Sequence, residues 1–292
     1  MLKYKCNLLK IICIFIIAIF LFPTICIASD TIYTWSNSAK PLTETVPTNA
    51  TTSLSLNVGS AVLIEQNSGQ VLYNQNMHEM LRPASVTKVM TILLIMEAID
   101  SGKLSYTDKI PCSEKAAGMG GSQIWLDVRE ELTVDEMLKA ICVVSANDCT
   151  VAMAEYLAGT EEAFVEQMNS KAKELGMNDT TFKNCHGIDE DGHVTSAYDI
   201  ALMSRELLTK HPSITKYTTI YMDSLRDGKS SLVNTNKLVR NYKGATGLKT
   251  GSTSIALYNL SASATRNDLS LIAVVMKAPT SPIRFAEAQK LL

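Results

Sequence analysis

The stretch Ala84-Ser85-Val86-Thr87-Lys88-Val89-Met90-Thr91 opens a run, 86–99, that is helix-compatible and apolar nearly all round. A helix without a polar face is a buried helix. Pro83 precedes Ser85 at its start, where both residue types are favoured. Ser85 and Lys88 are three apart, so on a helix they share a face and lie within side-chain reach. Burial strips water from the Lys88 ammonium and disfavours its charged form. A neutral amine there can take the Ser85 hydroxyl proton and activate an otherwise weak nucleophile. The free N–H groups of a helix start can then help to bind an oxyanion. By itself the motif reads more readily as a capping serine than as a catalytic pair, and Ser170-Lys171-Ala172-Lys173 repeats it on a polar helix face.

Two further motifs follow in order. Ser145-Ala146-Asn147 begins another helix-compatible segment, and on its own would be a helix cap. Beside Lys88, Ser145 would relay a proton to a leaving group, and Asn147 would hydrogen-bond a substrate amide carbonyl. Ser55-Leu56-Asn57 has the same spacing in a polar region. Lys249-Thr250-Gly251 occurs once, within Gly247-Leu248-Lys249-Thr250-Gly251-Ser252, a composition common in exposed turns. On an edge strand lining a cleft, Lys249 and Thr250 would hold an anionic group, and Gly251 would admit a substrate backbone.

The rest of the chain supplies a frame. Residues 60–65 and 70–73 read as a hairpin across Gln66-Asn67-Ser68-Gly69. Helical patterns cover 133–143, opened by a Thr133/Glu136 capping box, then 147–157, 161–175 with Gly176 as a C-cap, and 197–208. Residues 258–265 and 269–276 read as two strands around Arg266-Asn267-Asp268, and 281–292 as a last helix after Pro282. Strands therefore flank a helical insert. The expected class is α/β of the α+β type: an antiparallel sheet flanked by helices, with an all-helical subdomain inserted.

The N-terminus carries Lys3, Lys5 and Lys10, an apolar run from Ile11, a break at Pro23, and small residues before Ser29. We read 1–28 as a signal peptide for export, or as an N-terminal membrane anchor if it stays uncleaved. Residues 29–56, rich in Thr, Ser, Asn and Pro, read as a flexible spacer, and 57–292 as the folded domain. The 292 residues are 46% hydrophobic with a net charge of −2, which gives no nucleic-acid footprint. Cys112, Cys142, Cys149 and Cys185 form no C-x-x-C pair, so buried free thiols are expected, with no metal and no cofactor. The histidines, His78, His186, His193 and His211, lie outside any Gly-x-Ser-x-Gly context, which disfavours a Ser-His-Asp hydrolase. His186, in Asn184-Cys185-His186-Gly187, reads as a structural turn residue.

With the three motifs in order, the chain resembles the serine β-lactamase and penicillin-binding protein superfamily. More narrowly it resembles the low-molecular-mass D-alanyl-D-alanine carboxypeptidases of serine peptidase family S11. Phe164-Val165, Met168-Asn169, Leu175-Gly176-Met177, Thr181-Phe182-x-Asn184-x-His186-Gly187 and Thr195-Ser196-Ala197-x-Asp199 carry the narrower likeness. It implies a β-lactamase/DD-peptidase-like fold and removal of the terminal D-alanine from peptidoglycan stem peptides ending in D-Ala-D-Ala. It also implies β-lactams as covalent inhibitors, and a monomer is expected. Ser85 would be acylated, with Lys88 as base and Ser145 in the relay. Asn147, Lys249, Thr250, Gly251 and Ser252 would bind substrate, the backbone N–H groups of Ser85 and Ser252 forming the oxyanion hole. Arg284 falls where many members have an arginine that helps to bind the substrate carboxylate. Ala146 replaces a frequent glycine, and the family's C-terminal β-domain is expected to be absent. A class A β-lactamase would need Glu-x-x-Leu-Asn, where Val165-Glu166-Gln167-Met168-Asn169 has valine first. A non-catalytic penicillin- or muropeptide-binding domain on the same fold is the rival from another class, and endopeptidase or transpeptidase activity would use the same residues.

Overall fold

Nine strands and six long helices form a computed structural model that describes residues 54–292. The expected signal peptide and nearly all of the expected spacer lie outside the described residues. The spacer's tail is packed: Leu56 is buried, its backbone N–H and C=O both bonded to the Gln75 side chain, and the Tyr73 hydroxyl donates to Leu54 O.

Strands β1 (Ser60–Glu65), β2 (Val71–Gln75), β7 (Ala245–Thr253), β8 (Leu257–Arg266) and β9 (Leu269–Ala278) form one antiparallel sheet in the order β2-β1-β9-β8-β7. Both expected hairpins are present. The β8–β9 turn needs only Asn267 and Asp268, with φ of 47° and 62°. Asn and Asp tolerate that left-handed geometry, which matches the twist of the flanking strands. Along β9, Ile272, Val274 and Met276 join one core, while Leu271, Ala273 and Val275 join another. Both faces are covered, so the strand reads as a continuous apolar run.

Helices α1 (Lys88–Asp100) and α5 (Ala197–Lys210) pack together on the first face. Helices α2 (Val134–Val143), α3 (Asn147–Ala158) and α4 (Glu161–Glu174) belong to the same core and make up the helical insert. Helix α6 (Ser281–Leu291) covers the opposite face with Phe285, Ala288 and Leu291. The patterns did not disclose two small two-stranded sheets, β3 (Lys109–Pro111) with β4 (Glu131–Thr133), and β5 (Met222–Leu225) with β6 (Ser230–Val233). Among the described residues no helix is long and apolar enough to cross a membrane. Among the described residues, Cys112, Cys142, Cys149 and Cys185 are free and buried.

The capping box forms as expected: Glu136 N donates to Thr133 Oγ1 at 3.2 Å, and Thr133 N to Glu136 Oε2 at 2.8 Å. Thr133→Ala is expected to lower the unfolding free energy by about 1 kcal/mol, read as a shifted urea midpoint at unchanged slope. Ser170→Ala, whose hydroxyl only bonds back to Glu166 O on an exposed face, should stay within ~0.5 kcal/mol of the parent.

Candidate active site

The chain reaches Ser85 through a backbone pair between Leu81 and Thr195, 2.8 and 2.9 Å, then Pro83 and a left-handed Ala84 at φ 49°. Ala84–Thr87 form one 3-10 turn, and α1 begins only at Lys88. The capping alternative is not realised, because neither start carries a side-chain cap bond. A left-handed alanine costs about 1–2 kcal/mol, so the turn must be held. Thr87 Oγ1 donates to Ala84 O at 2.8 Å and lies 2.9 Å from His193 Nε2. Lys183 N donates to His193 Nδ1 at 3.2 Å, which leaves the proton on Nε2, facing Thr87. Burial keeps His193 neutral, its pKa lowered to about 4. Gly187 completes the support: a β carbon there would run into the Ala84 carbonyl.

Lys88 is fully buried. Its Nζ lies 3.0 Å from Ser85 Oγ, and donates to Asn147 Oδ1 and His186 O at 2.6 Å each. Burial, then the positive charge of Lys249, holds its pKa well below the usual lysine value, against smaller opposing effects of Cys185 and Asp148. A neutral amine has two hydrogens and one lone pair. Both short contacts are to carbonyl oxygens, which only accept, so they take the hydrogens. The lone pair is left for the one partner able to donate, the Ser85 hydroxyl. The arrangement can therefore move a proton from Ser85 to Lys88.

Ser145 (φ 67°) precedes α3, whose cap is Ala146 without a side-chain bond. Its buried hydroxyl bonds to no protein group. Asn147 is held at both ends, since its Nδ2 also donates to Gly120 O at 2.7 Å and its backbone N to Ser122 O at 2.7 Å. One Nδ2 hydrogen remains for a ligand. Next in sequence, buried Asp148 accepts from Ile124 N and Leu126 N at 3.0 and 3.1 Å, tying down the loop that carries Gly120.

Lys249-Thr250-Gly251 lies on β7, the edge of the sheet, and not in a turn. Lys249 is buried, and burial, with the Arg284 charge adding, lowers its pKa to about 7. Thr250 Oγ1 donates to Thr235 Oγ1 at 2.8 Å, and Thr235 N donates to Val143 O at 3.0 Å, so Thr235 joins the third motif to the approach to the second. Ser252 is exposed at the strand's end. Gly251 has a different neighbour from the one expected. A β carbon there would sit 2.7 Å from Pro83 O, 2.8 Å from Val86 N and 2.9 Å from Ser85 N. The space that a side chain would fill is taken by the serine's own turn. Arg284 Nη1 donates to Gly251 O and Asn259 O at 3.2 and 3.3 Å, and the guanidinium lies over the Tyr258 and Phe285 rings. It reaches the strand pair from α6, on the face turned away from α1, and so braces β7 and β8 from behind.

Sequence reasoning missed the groups behind Lys88. His186 serves through its carbonyl, which no residue type announces. Glu161, at the first turn of α4, accepts from Cys185 N at 3.1 Å and lies 3.4 Å from His186 Nε2, fixing that carbonyl. Thr87 was visible within the first motif, but only the fold shows its partner.

A serine paired with a desolvated lysine at the edge of an antiparallel sheet, beside a helical subdomain, is the architecture of the active-site serine penicillin-binding proteins. Residues 46–280 match the peptidase S11 family, described as D-alanyl-D-alanine carboxypeptidase, and the chain belongs to that family. It is 54% identical over 245 residues to D-alanyl-D-alanine carboxypeptidase DacF of Bacillus subtilis, covering 83% of this chain and 63% of that one. Penicillin-binding protein 6B from Escherichia coli superposes with a TM-score of 0.80 at 34% identity, covering 86% of this chain and 80% of the other. Penicillin-binding protein D2 from Listeria monocytogenes, in its ampicillin-bound form, gives 0.74 at 31% identity, covering 82% and 97%. The chain spans about three fifths of the length of the curated relatives it matches.

A lysine with a native pKa near 7 and an ordinary value of 10.5 binds fewer protons folded than unfolded between those limits. Stability conferred by Lys249 is therefore fully present above about pH 10 and falls away as pH drops towards 7. Lys249→Met removes this dependence. Urea midpoints at pH 7, 8.5 and 10 should rise more steeply for the parent than for the variant, and parallel curves would refute the buried, depressed lysine.

Proposed function

We propose that this chain is an exported, penicillin-sensitive serine-type D-Ala-D-Ala carboxypeptidase acting on peptidoglycan stem pentapeptides as a monomer. The observation that carries the reading is Lys88, buried without a carboxylate partner and turned onto Ser85 Oγ at 3.0 Å. Ser85 Oγ attacks the carbonyl carbon of the penultimate D-alanine while its proton passes to Lys88. The oxyanion is held by the backbone N–H groups of Ser85 and Ser252. Collapse breaks the C–N bond, and the leaving amine takes the proton from Lys88 through the Ser145 hydroxyl. Free D-alanine departs, and water hydrolyses the Ser85 ester. Lys249 and Thr250 hold the terminal carboxylate, and Asn147 a peptide carbonyl through its spare Nδ2 hydrogen. β-Lactams acylate the same serine, a reading supported by the relative solved in ampicillin- and cefotaxime-bound forms. Glu166, the nearest carboxylate to the missing deacylation motif, is exposed on α4, which favours a long-lived adduct over β-lactam turnover. The reading of 1–28 as an export signal and 29–56 as a spacer places 57–292 where this substrate is found.

Fluorescent penicillin should label the parent and not Ser85→Ala, and the parent should release D-alanine from diacetyl-Lys-D-Ala-D-Ala. Labelling that persists in the variant would refute the site, and labelling without release would leave only a penicillin-binding domain. Acylation requires Lys88 unprotonated, so its rate rises with pH on the acid side. Lys249 must carry its proton to hold a carboxylate, and its native pKa of about 7 makes kcat/KM fall again on the alkaline side. A pH–rate profile of D-alanine release should be bell-shaped, and the Lys249→Arg variant should extend the alkaline limb.

A further inference from the structure

We propose that Asn259 is a positioning residue for Ser85, a role that rests on Ser85 being the acylated residue. Asparagine is depleted in strands, yet Asn259 stands well inside β8 and is buried. It sits at a bulge: Tyr258 pairs with Ala278 and Leu260 with Val275, so Asn259 faces the extra residues of β9. A bulge leaves backbone groups unpaired. Asn259 Oδ1 takes one of them, accepting from Lys277 N at 2.7 Å, where Lys277 has a φ of 59°.

The other end of the amide points at the serine's turn. Nδ2 donates to Arg82 O at 2.9 Å and to Pro83 O at 3.1 Å. These are the two carbonyls immediately before the left-handed Ala84. Pro83 has no N–H of its own, and its carbonyl also receives Val86 N at 3.3 Å. In the sheet, Asn259 pairs with Gly251, whose bare α carbon accommodates Pro83 O, Ser85 N and Val86 N. Arg284 Nη1 bridges the carbonyls of the same pair. One side chain therefore fixes the distance between the Lys249-Thr250-Gly251 strand and the turn that carries Ser85. Every polar atom of the Asn259 side chain is used, so neither end can move without releasing the other.

Filling the bulge and holding the turn are separable tasks. Asn259→Asp keeps the size and the acceptor for Lys277 N, but sets an oxygen against two carbonyls in place of the donated hydrogens. Labelling by fluorescent penicillin, followed over time at several concentrations, separates the acylation rate constant from the preceding affinity, and intact mass gives the labelled fraction. In Asn259→Asp the acylation rate constant should fall by about 10- to 100-fold, as for a displacement near 1 Å, with affinity within ~3-fold of the parent. Should that variant show no thermal transition, Asn259→Ser, which also deletes the amide donors, carries the same comparison. An acylation rate within ~2-fold of the parent in a folded variant, or a change confined to affinity, would overturn the assignment of Asn259 as a positioning residue. A parent that takes no label would instead overturn the reading of Ser85, so the two failures are distinct.

Discussion

The site depends on one uncompensated burial. Lys88 is surrounded by protein, and its three hydrogen-bond partners are two carbonyl oxygens and a hydroxyl. A buried ammonium without a carboxylate loses hydration worth several kcal/mol, and the cheapest relief is to give up the proton. Asp148 is near enough to favour the charged form, but its oxygens are bonded to the amides of Ile124, Leu126 and Cys149. That carboxylate is thus occupied in fixing a loop, and Lys88 has no carboxylate among its hydrogen-bond partners. Admitting water beside Lys88 would relieve the burial that lowers its pKa and favour the protonated amine, which cannot accept from Ser85.

Keeping the amine dry and oriented requires a wall that is not itself basic. Segment 183–193 supplies it mostly with backbone. Cys185 O accepts from Thr91 Oγ1 at 2.6 Å, His186 O from Lys88, and Cys185 N donates to Glu161. Glu161 follows Thr160, the side-chain cap of α4, so a helix start fixes the carboxylate that fixes the loop. The imidazoles in this wall, His186 and His193, are both lowered to about 4, chiefly by burial, and add no positive charge near Lys88 at neutral pH.

The elements that were legible are those whose partners lie close in sequence. Ser85 and Lys88 meet across one helical turn, the Thr133 capping box closes over three residues, and the β8–β9 hairpin turns on two. What was illegible depends on distant backbone. The composition of Gly247-Leu248-Lys249-Thr250-Gly251-Ser252 mimics a loop, and β7 shows no alternation because most of its residues are buried whichever face they occupy. Gly251 was singled out for the right property, close approach, but the approaching group is Pro83–Val86 from the other end of the domain. Arg284 was placed by the family resemblance alone, which gives no sign that α6 packs against the sheet through Phe285, Ala288 and Leu291.

Several costs collect around this cleft. Ala84 and Ser145 take left-handed conformations, two lysines are buried, and the buried Ser145 hydroxyl bonds to no protein group. Strain of this kind persists only where its surroundings over-determine it, and here a core on each face of the sheet does so. On the proposed reading the vacant bonding capacity of Ser145 has a use, because a relay must be free to change partners. A hydroxyl already satisfied within the resting fold would have to break that bond before carrying a proton from Lys88 to the departing amine.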